Sequence, residues 1–288
     1  YAVIYGVIGR QLPADKRSWA MGVAAAAGSF GQFFMVPVEG QLIAQLGWRN
    51  ALIACAVLVL IIVPMAMALR EPNFHASKKA AAGGQQQTIA QAVVEAFRNP
   101  SFLLLTAGYF VCGFQVMFIG VHMPSYLKDF GLPAQVASIS LALIGLFNIF
   151  GTYLAGSLGQ KLPKRYLLSA IYFTRAVAIT IFLLAPLSPW SVYVFAAVMG
   201  FLWLSTVPLT NGAIAQIFGV QHLSMLSGFV FFSHQIGSFL GIWLGGYLYD
   251  HTGSYDVVWY LSIALGVFAG LVNLPVKEAP VLRHSAVA

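Results

Sequence analysis

Five polar residues stand near the middle of long apolar runs: Gln115, Asn148, Arg175, His234 and Gln235. Polar groups at that depth in hydrocarbon are expensive, and a shared depth is what a binding site between membrane helices requires. Arg175 cannot lose its proton and can hold both oxygens of a carboxylate at once. Gln115, Asn148 and Gln235 can hydrogen-bond a ligand, or they can tie one helix to the next. His234 can change charge near neutral pH, so it is the candidate proton carrier; a neutral core histidine bonded across to another helix is the alternative. His122, nearer the end of its run, is a weaker candidate of the same kind, and Glu39 reads as a wetted interfacial carboxylate.

Other chemistry finds less support. The loop Asp250-His251-Thr252-Gly253-Ser254-Tyr255-Asp256 gathers acids and a histidine, but a short solvated turn explains it better than a metal or hydrolytic site. There is no glycine-rich phosphate loop and no zinc-ligand spacing, and no lysine lies inside an apolar run to form a Schiff base. Neither enzymatic activity nor a cofactor or metal is expected.

The elements that must position these residues are membrane helices. The chain has 288 residues, 59% apolar and 8% charged, with mean hydropathy +0.82. A soluble domain carries far more charge than this. At about 20 residues per crossing, eight spans fit: 18–42, 50–69, 101–127, 134–158, 166–186, 190–213, 223–249 and 256–275. Residues 1–9 read as the end of a further span, because the chain starts with Tyr1 inside an apolar stretch, and this implies an N-terminally truncated piece. The runs are long and show no strand-like alternation, so the fold class is all-α integral membrane.

Topology follows from the basic residues. Taking the loops alternately, one side holds Arg10, Lys16, Arg17, Arg70, Lys78, Lys79, Arg98, Lys161, Lys164, Arg165, Lys277 and Arg283, and the other only Arg49 and Lys128. The richer side is cytoplasmic by the positive-inside rule, which also places the C-terminus there. The protein is then expected as a multi-pass protein of the cell inner (plasma) membrane. The net charge of +7 is spread over short loops, so nucleic acid is not expected as a partner. Cys55 and Cys112 fall in apolar runs and read as free thiols.

The long loop 71–100 is a polar linker that ends in an amphipathic helix over 88–98, where Ile89, Val93 and Phe97 recur every four residues. It divides the chain into 1–70, two spans and the end of another, and 101–276, a six-helix bundle, with a tail over 277–288. At an offset of 206 residues, Gly22, Gly31, Gly40 and Gly47 align with Gly228, Gly237, Gly246 and Gly253. The first two spans therefore repeat the last two in the same orientation, a transporter arrangement.

At this point the chain resembles the major facilitator superfamily. Gly156-Ser-Leu-Gly-Gln160-Lys161-Leu-Pro-Lys164-Arg165 is similar to that family's basic loop motif between its eighth and ninth helices, with Gln160 where an acid is usual. Gly28–Gly40, with Gly31 and Pro37, resembles the glycine-proline motif of the fifth helix. The third span, with Gly113, Gly120, Pro124 and Tyr126-Leu127, looks most like the monocarboxylate and oxalate/formate branch. That branch typically carries a charge, often arginine, in its eighth helix; the matching span here has the neutral Asn148.

The resemblance implies a secondary transporter whose bundles rock around a midplane site, with the motif residues Gly156, Gln160, Lys161, Lys164, Arg165, Gly31 and Pro37 serving its conformational change. The implied partners are a small organic anion, a monocarboxylate or a related one moved with a proton or exchanged, and membrane lipid, with the protein a monomer. A non-transporting receptor or a channel-like protein on the same helices is the rival. The topology is tested by cysteines at positions 83, 163 and 253. The first two are expected to react only from the cytoplasm and the third only from outside; external labelling of position 163 in sealed cells overturns the assignment.

Overall fold

A computed structural model of the chain describes residues 2–68 and 87–281. Most of the linker and residues 282–288 of the tail lie outside these. The described residues are helical: α1 (Ala2–Gln11), α2 (Ala14–Val59), α3 (Ile62–Ala68), α4 (Ile89–Arg98), α5 (Pro100–Asp129), α6 (Ala134–Lys161), α7 (Lys164–Leu184), α8 (Pro189–Leu202), α9 (Thr206–Phe218), α10 (Leu223–Thr252) and α11 (Asp256–Asn273). The chain is an all-α membrane protein, with seven helical stretches among the described residues long and apolar enough to cross a bilayer.

Local chemistry starts these helices where it should. Pro100 and Pro189 occupy first-turn positions, where a missing N–H costs nothing, behind the caps Asn99 and Ser188. Thr88 and Gln91 form a capping box at the start of α4. That helix buries Ala92 and Ala96 and exposes Ile89, Val94 and Phe97, an apolar edge suited to a lipid interface.

Three spans differ from the sequence reading. The expected spans 18–42 and 50–69 belong to one 54-residue stretch, Ala14–Met67, interrupted at Gly47, whose φ of 74° no other residue type adopts readily. This is why seven stretches appear where eight spans were counted. Its repeat partner Gly253 also has positive φ, 70°, and ends α10. The expected span 190–213 is two helices, α8 and α9, separated at Trp203–Ser205.

The later helices pack around α5, which lies against α10 and α11, while α7 packs on α11, α8 and α9. The first part of α2 runs along α6. With no hydrophobic driving force between helices in lipid, small residues decide where backbones approach. A Cβ on Gly22 would come within 2.8 Å of Gly156 Cα and 2.9 Å of Thr152 O. At the α5–α10 crossing, a Cβ on Gly237 would meet the Phe110 carbonyl oxygen at 2.0 Å. Gly31, the repeat partner of Gly237, has nothing within 4 Å of that position.

Contacts between loops place the basic ends together. Ser18 meets Gln160, Lys164 Nζ donates to Gln216, Arg165 N donates to Glu278, and Lys277 N donates to Ser101. Val281 N also donates to Ile217 O, so the segment after α11 crosses this end of the bundle. Lys128 sits at the other end, next to Asp129.

The glycine crossing is testable by thermal unfolding. Gly22→Ala forces backbone apart and is expected to destabilise the chain by about 1–3 kcal/mol. Gly31→Ala meets no neighbour in this chain and is expected to be neutral or to stabilise by up to ~1 kcal/mol through helix propensity. Equal effects of the two would remove the close approach as the cause.

Candidate functional site

The break between α8 and α9 gathers three of the predicted residues. Pro208 has no N–H, so the carbonyl of Leu204 lacks its helical donor, and Val207 N turns to that carbonyl at 2.9 Å, one residue short of helical spacing. The backbone between Leu202 and Leu204 is then left without intrahelical partners, at mid-depth in hydrocarbon, where each unsatisfied group costs several kcal/mol.

Arg175, Asn148 and Gln115 supply what is missing. Arg175 Nη2 donates to Leu202 O at 2.5 Å and to Trp203 O, and Nη1 to Gln115 Oε1 at 3.4 Å. Asn148 Oδ1 accepts from Leu204 N at 3.0 Å. Gln115 Nε2 reaches on to Ser262 O of α11 at 2.8 Å. All three side chains are fully buried. The guanidinium lies 5.5 Å from the centre of the Tyr172 ring, whose hydroxyl donates to Gly108 O at 2.6 Å. Two donors here have no acceptor: Arg175 Nε and Asn148 Nδ2.

His234 lies apart from the break, on the α5–α10 crossing. Its Nδ1 is 3.2 Å from Gln235 Oε1 and 3.3 Å from Ser238 Oγ, and its ring packs between Tyr109 and Phe231. Gln235 itself is exposed. Beside the break lies Cys112, which the sequence reading left as a free thiol. Cys112 is fully buried, 3.3 Å from Thr206 Oγ1 and 3.9 Å from Trp203 O. The signal was present: Cys112 and Gln115 are three residues apart, on one face of a helix.

His122 donates from Nε2 to Ile242 O at 2.9 Å, and Glu39 is exposed. A groove of about 470 Å³ between α7 and α8 is lined by apolar side chains with only Thr174 and Ser191 as polar members, so it lies away from the polar cluster.

The basic motif has its own geometry. Gln160 spans one rung of α2: Oε1 accepts from Ser18 N at 3.1 Å and Nε2 donates to Ala14 O at 3.0 Å. An acid at this position could make only the first bond, since a carboxylate does not donate. Gly156 makes the close approach to Gly22, Lys161 is exposed, and Arg165 Nη1 donates to Val276 O. Glu278 caps the first turn of α7 through Arg165 N at 2.7 Å, a role the sequence reading did not assign. Gly31 and Pro37 lie in α2 without a close neighbour and exposed, respectively.

Comparison with known proteins fits this architecture. The model of the Major Facilitator Superfamily matches residues 1–214 and, in a second overlapping match, residues 108–287. The chain belongs to the Major Facilitator Superfamily. Its similar relatives within the superfamily include an uncharacterized MFS-type transporter of Bacillus subtilis, 32% identical over 176 residues, covering 58% of this chain and 41% of that protein. Monocarboxylate transporter 13 of Rattus norvegicus is 26% identical over 269 residues, covering 91% of this chain and 60% of the relative. The oxalate:formate antiporter of Oxalobacter formigenes is 23% identical over 255 residues, covering 88% and 60%. The chain thus spans less than two thirds of the length of these relatives.

The double bond of Gln160 sets an order of stability. Gln160→Glu forfeits the bond to Ala14 O and Gln160→Ala forfeits both, at about 0.5–1.5 kcal/mol per bond. Melting temperatures are expected to fall from wild type to Gln160→Glu to Gln160→Ala. A Gln160→Glu protein more stable than wild type would show that attraction between the carboxylate and the positive end of α2 outweighs the lost donor.

Proposed function

We propose that the full-length protein is a secondary active transporter of a small organic anion, a monocarboxylate or a close relative. Transport proceeds by alternating access, with the anion moved alongside a proton or exchanged for a second anion. Membership of a transporter superfamily supports transport, and the names of the relatives support the anion.

The observation that carries the anionic substrate is the pair of buried donors without acceptors beside the broken helix, Arg175 Nε and Asn148 Nδ2. No acid lies inside any of the six later spans, Asp256 standing at the end of one, so the positive charge of Arg175 has no carboxylate of the chain at its depth. A substrate carboxylate answers both deficits. His234 is the proton carrier, and Gln115 and Gln235 are further candidate contacts. The bundles of residues 1–70 and 101–276 move against each other, with the motif residues Gly156, Gln160, Lys161, Lys164, Arg165, Gly31 and Pro37 at their contact and hinge. The basic ends face the cytoplasm of a plasma-membrane protein.

Uptake of labelled monocarboxylates by full-length protein in liposomes, with and without an imposed pH gradient, tests the activity; no saturable uptake of any small anion overturns it. Arg175→Lys tests the site, because an ammonium is a compact point charge that cannot serve acceptors on two sides. Substrate affinity is expected to fall at least tenfold while the protein still inserts. Lowered melting temperature with unchanged affinity would remove Arg175 from the binding site and leave it as the brace of the broken helix.

A further inference from the structure

The apolar groove between α7 and α8 takes no part in the transporter reading. Its floor is firm: the rings of Phe182 on α7 and Phe195 on α8 stack 4.1 Å apart, both buried, and both pack on Trp259 of α11. Its rims carry Val177 and Ile181 on one side and Val194 and Val198 on the other, all four exposed. The hollow exists because α7 turns the small residues Thr174, Ala178 and Ala185 toward it, at spacings of four and seven that share one helix face. Its volume of about 470 Å³ falls in the ordinary range of ligand sites.

Position and lining together say what fills it. Helix α7 starts at Lys164, at the basic end, so Thr174 lies about 15 Å further on, at mid-depth. From Thr174 to Ala185 the groove runs about 16 Å more, which matches one leaflet, half of ~30 Å of hydrocarbon. It is closed at mid-depth, where Arg175 ties α7 to the Leu202 carbonyl at the end of α8. It opens at the far end beside Trp190, exposed as an interfacial aromatic is. Among the described residues no charged side chain lines it. Its two hydroxyls are already bonded, Thr174 Oγ1 donating to Ala170 O at 2.7 Å and Ser191 Oγ to Ser188 O at 3.0 Å. Nothing in the groove calls for a polar ligand, and the loop 185–190 at its mouth has no charge to select a headgroup.

We propose that this groove is a lipid site that holds one acyl chain of the leaflet farther from the basic ends. The chain lies along the membrane normal, with its methyl end toward Thr174 and its ester end toward Trp190. A concave apolar wall loses dispersion contacts wherever nothing fills it, and here the stacked floor keeps the walls from collapsing inward. A chain seated between α7 and α8 touches protein on three sides, whereas a chain on a convex helix face touches it on one. It therefore stays longer than the fluid lipid around it. Recognition is of the chain and not of the headgroup. The site does not depend on what the protein transports.

The test is photo-crosslinking of full-length protein in phosphatidylcholine liposomes. A trace of phosphatidylcholine carries a diazirine midway along one chain, and attached lipid is mapped by peptide mass. Labelling at Ile181 and Val194 is expected to exceed, at least threefold, that at Val257 and Tyr260, which are exposed on α11 in the same leaflet. Ala178→Phe, which fills the groove, is expected to lower the first at least threefold and leave the second unchanged. A phosphatidylglycerol probe with the same chain is expected to label the groove equally. Equal labelling of groove and α11 face, or groove labelling unchanged in Ala178→Phe, means fluid lipid only and overturns the site. Groove labelling below the α11 face in a protein that is dimeric by mass assigns the groove to a second copy and overturns it too. A threefold preference between the two headgroups overturns recognition by the chain. The wild-type comparison decides even if Ala178→Phe fails to fold, and uptake does not enter the result.

Discussion

A charged guanidinium and a broken helix, each untenable alone in hydrocarbon, satisfy each other at the centre of this protein. The carbonyls of Leu202 and Trp203 have no amide donors of their own helix, and Arg175 has no carboxylate at its depth. Placing the guanidinium on those carbonyls removes two costs of several kcal/mol at one step. Asn148 completes the arrangement by accepting from the N–H of Leu204. The break is therefore held open by α6 and α7 together, and α5 and α11 join through Gln115. Four helices depend on one interruption.

Around that centre the helices are positioned by absence of side chain as much as by its presence. Gly22 against Gly156, and Gly237 against Phe110, let backbones meet where lipid offers no competing hydrophobic drive. The same α5–α10 crossing sets the backbone of His234 against Gly113, so an ionisable residue stands where the packing is closest. At the basic end the links are polar and lie near water: Gln160 to α2, Glu278 to α7, Lys277 to Ser101. Such bonds exchange readily with solvent, whereas the buried ones at the break do not. An interface that must open is better closed by the first kind.

Much of this was readable from residue order because membrane helices obey few and strong constraints. Run length set the spans, loop charge set the ends that lie together, and depth along each run picked out Gln115, Asn148, Arg175 and His234. Helical breaks were read unevenly. The break at Gly47 was visible as the gap between the spans 18–42 and 50–69, and its physical cause is that glycine accepts positive φ. The interruption at Trp203–Ser205 was not, because a proline acts on the carbonyl four residues before it and, inside an apolar run, signals a kink more often than a gap.

By itself the sequence determined an all-helical membrane fold, its repeat, its charge asymmetry and the depth of its polar residues, since each follows from composition and periodicity along one chain. Which of those residues meet was decided only in three dimensions. Depth is a coordinate along the membrane normal, and it says nothing about rotation around each helix or about which helices are neighbours. That rotation is set by glycine crossings between segments far apart in the chain. It turned Arg175 toward a backbone gap, set Gln160 on α2 in place of an acid, and brought the thiol of Cys112 to the hydroxyl of Thr206.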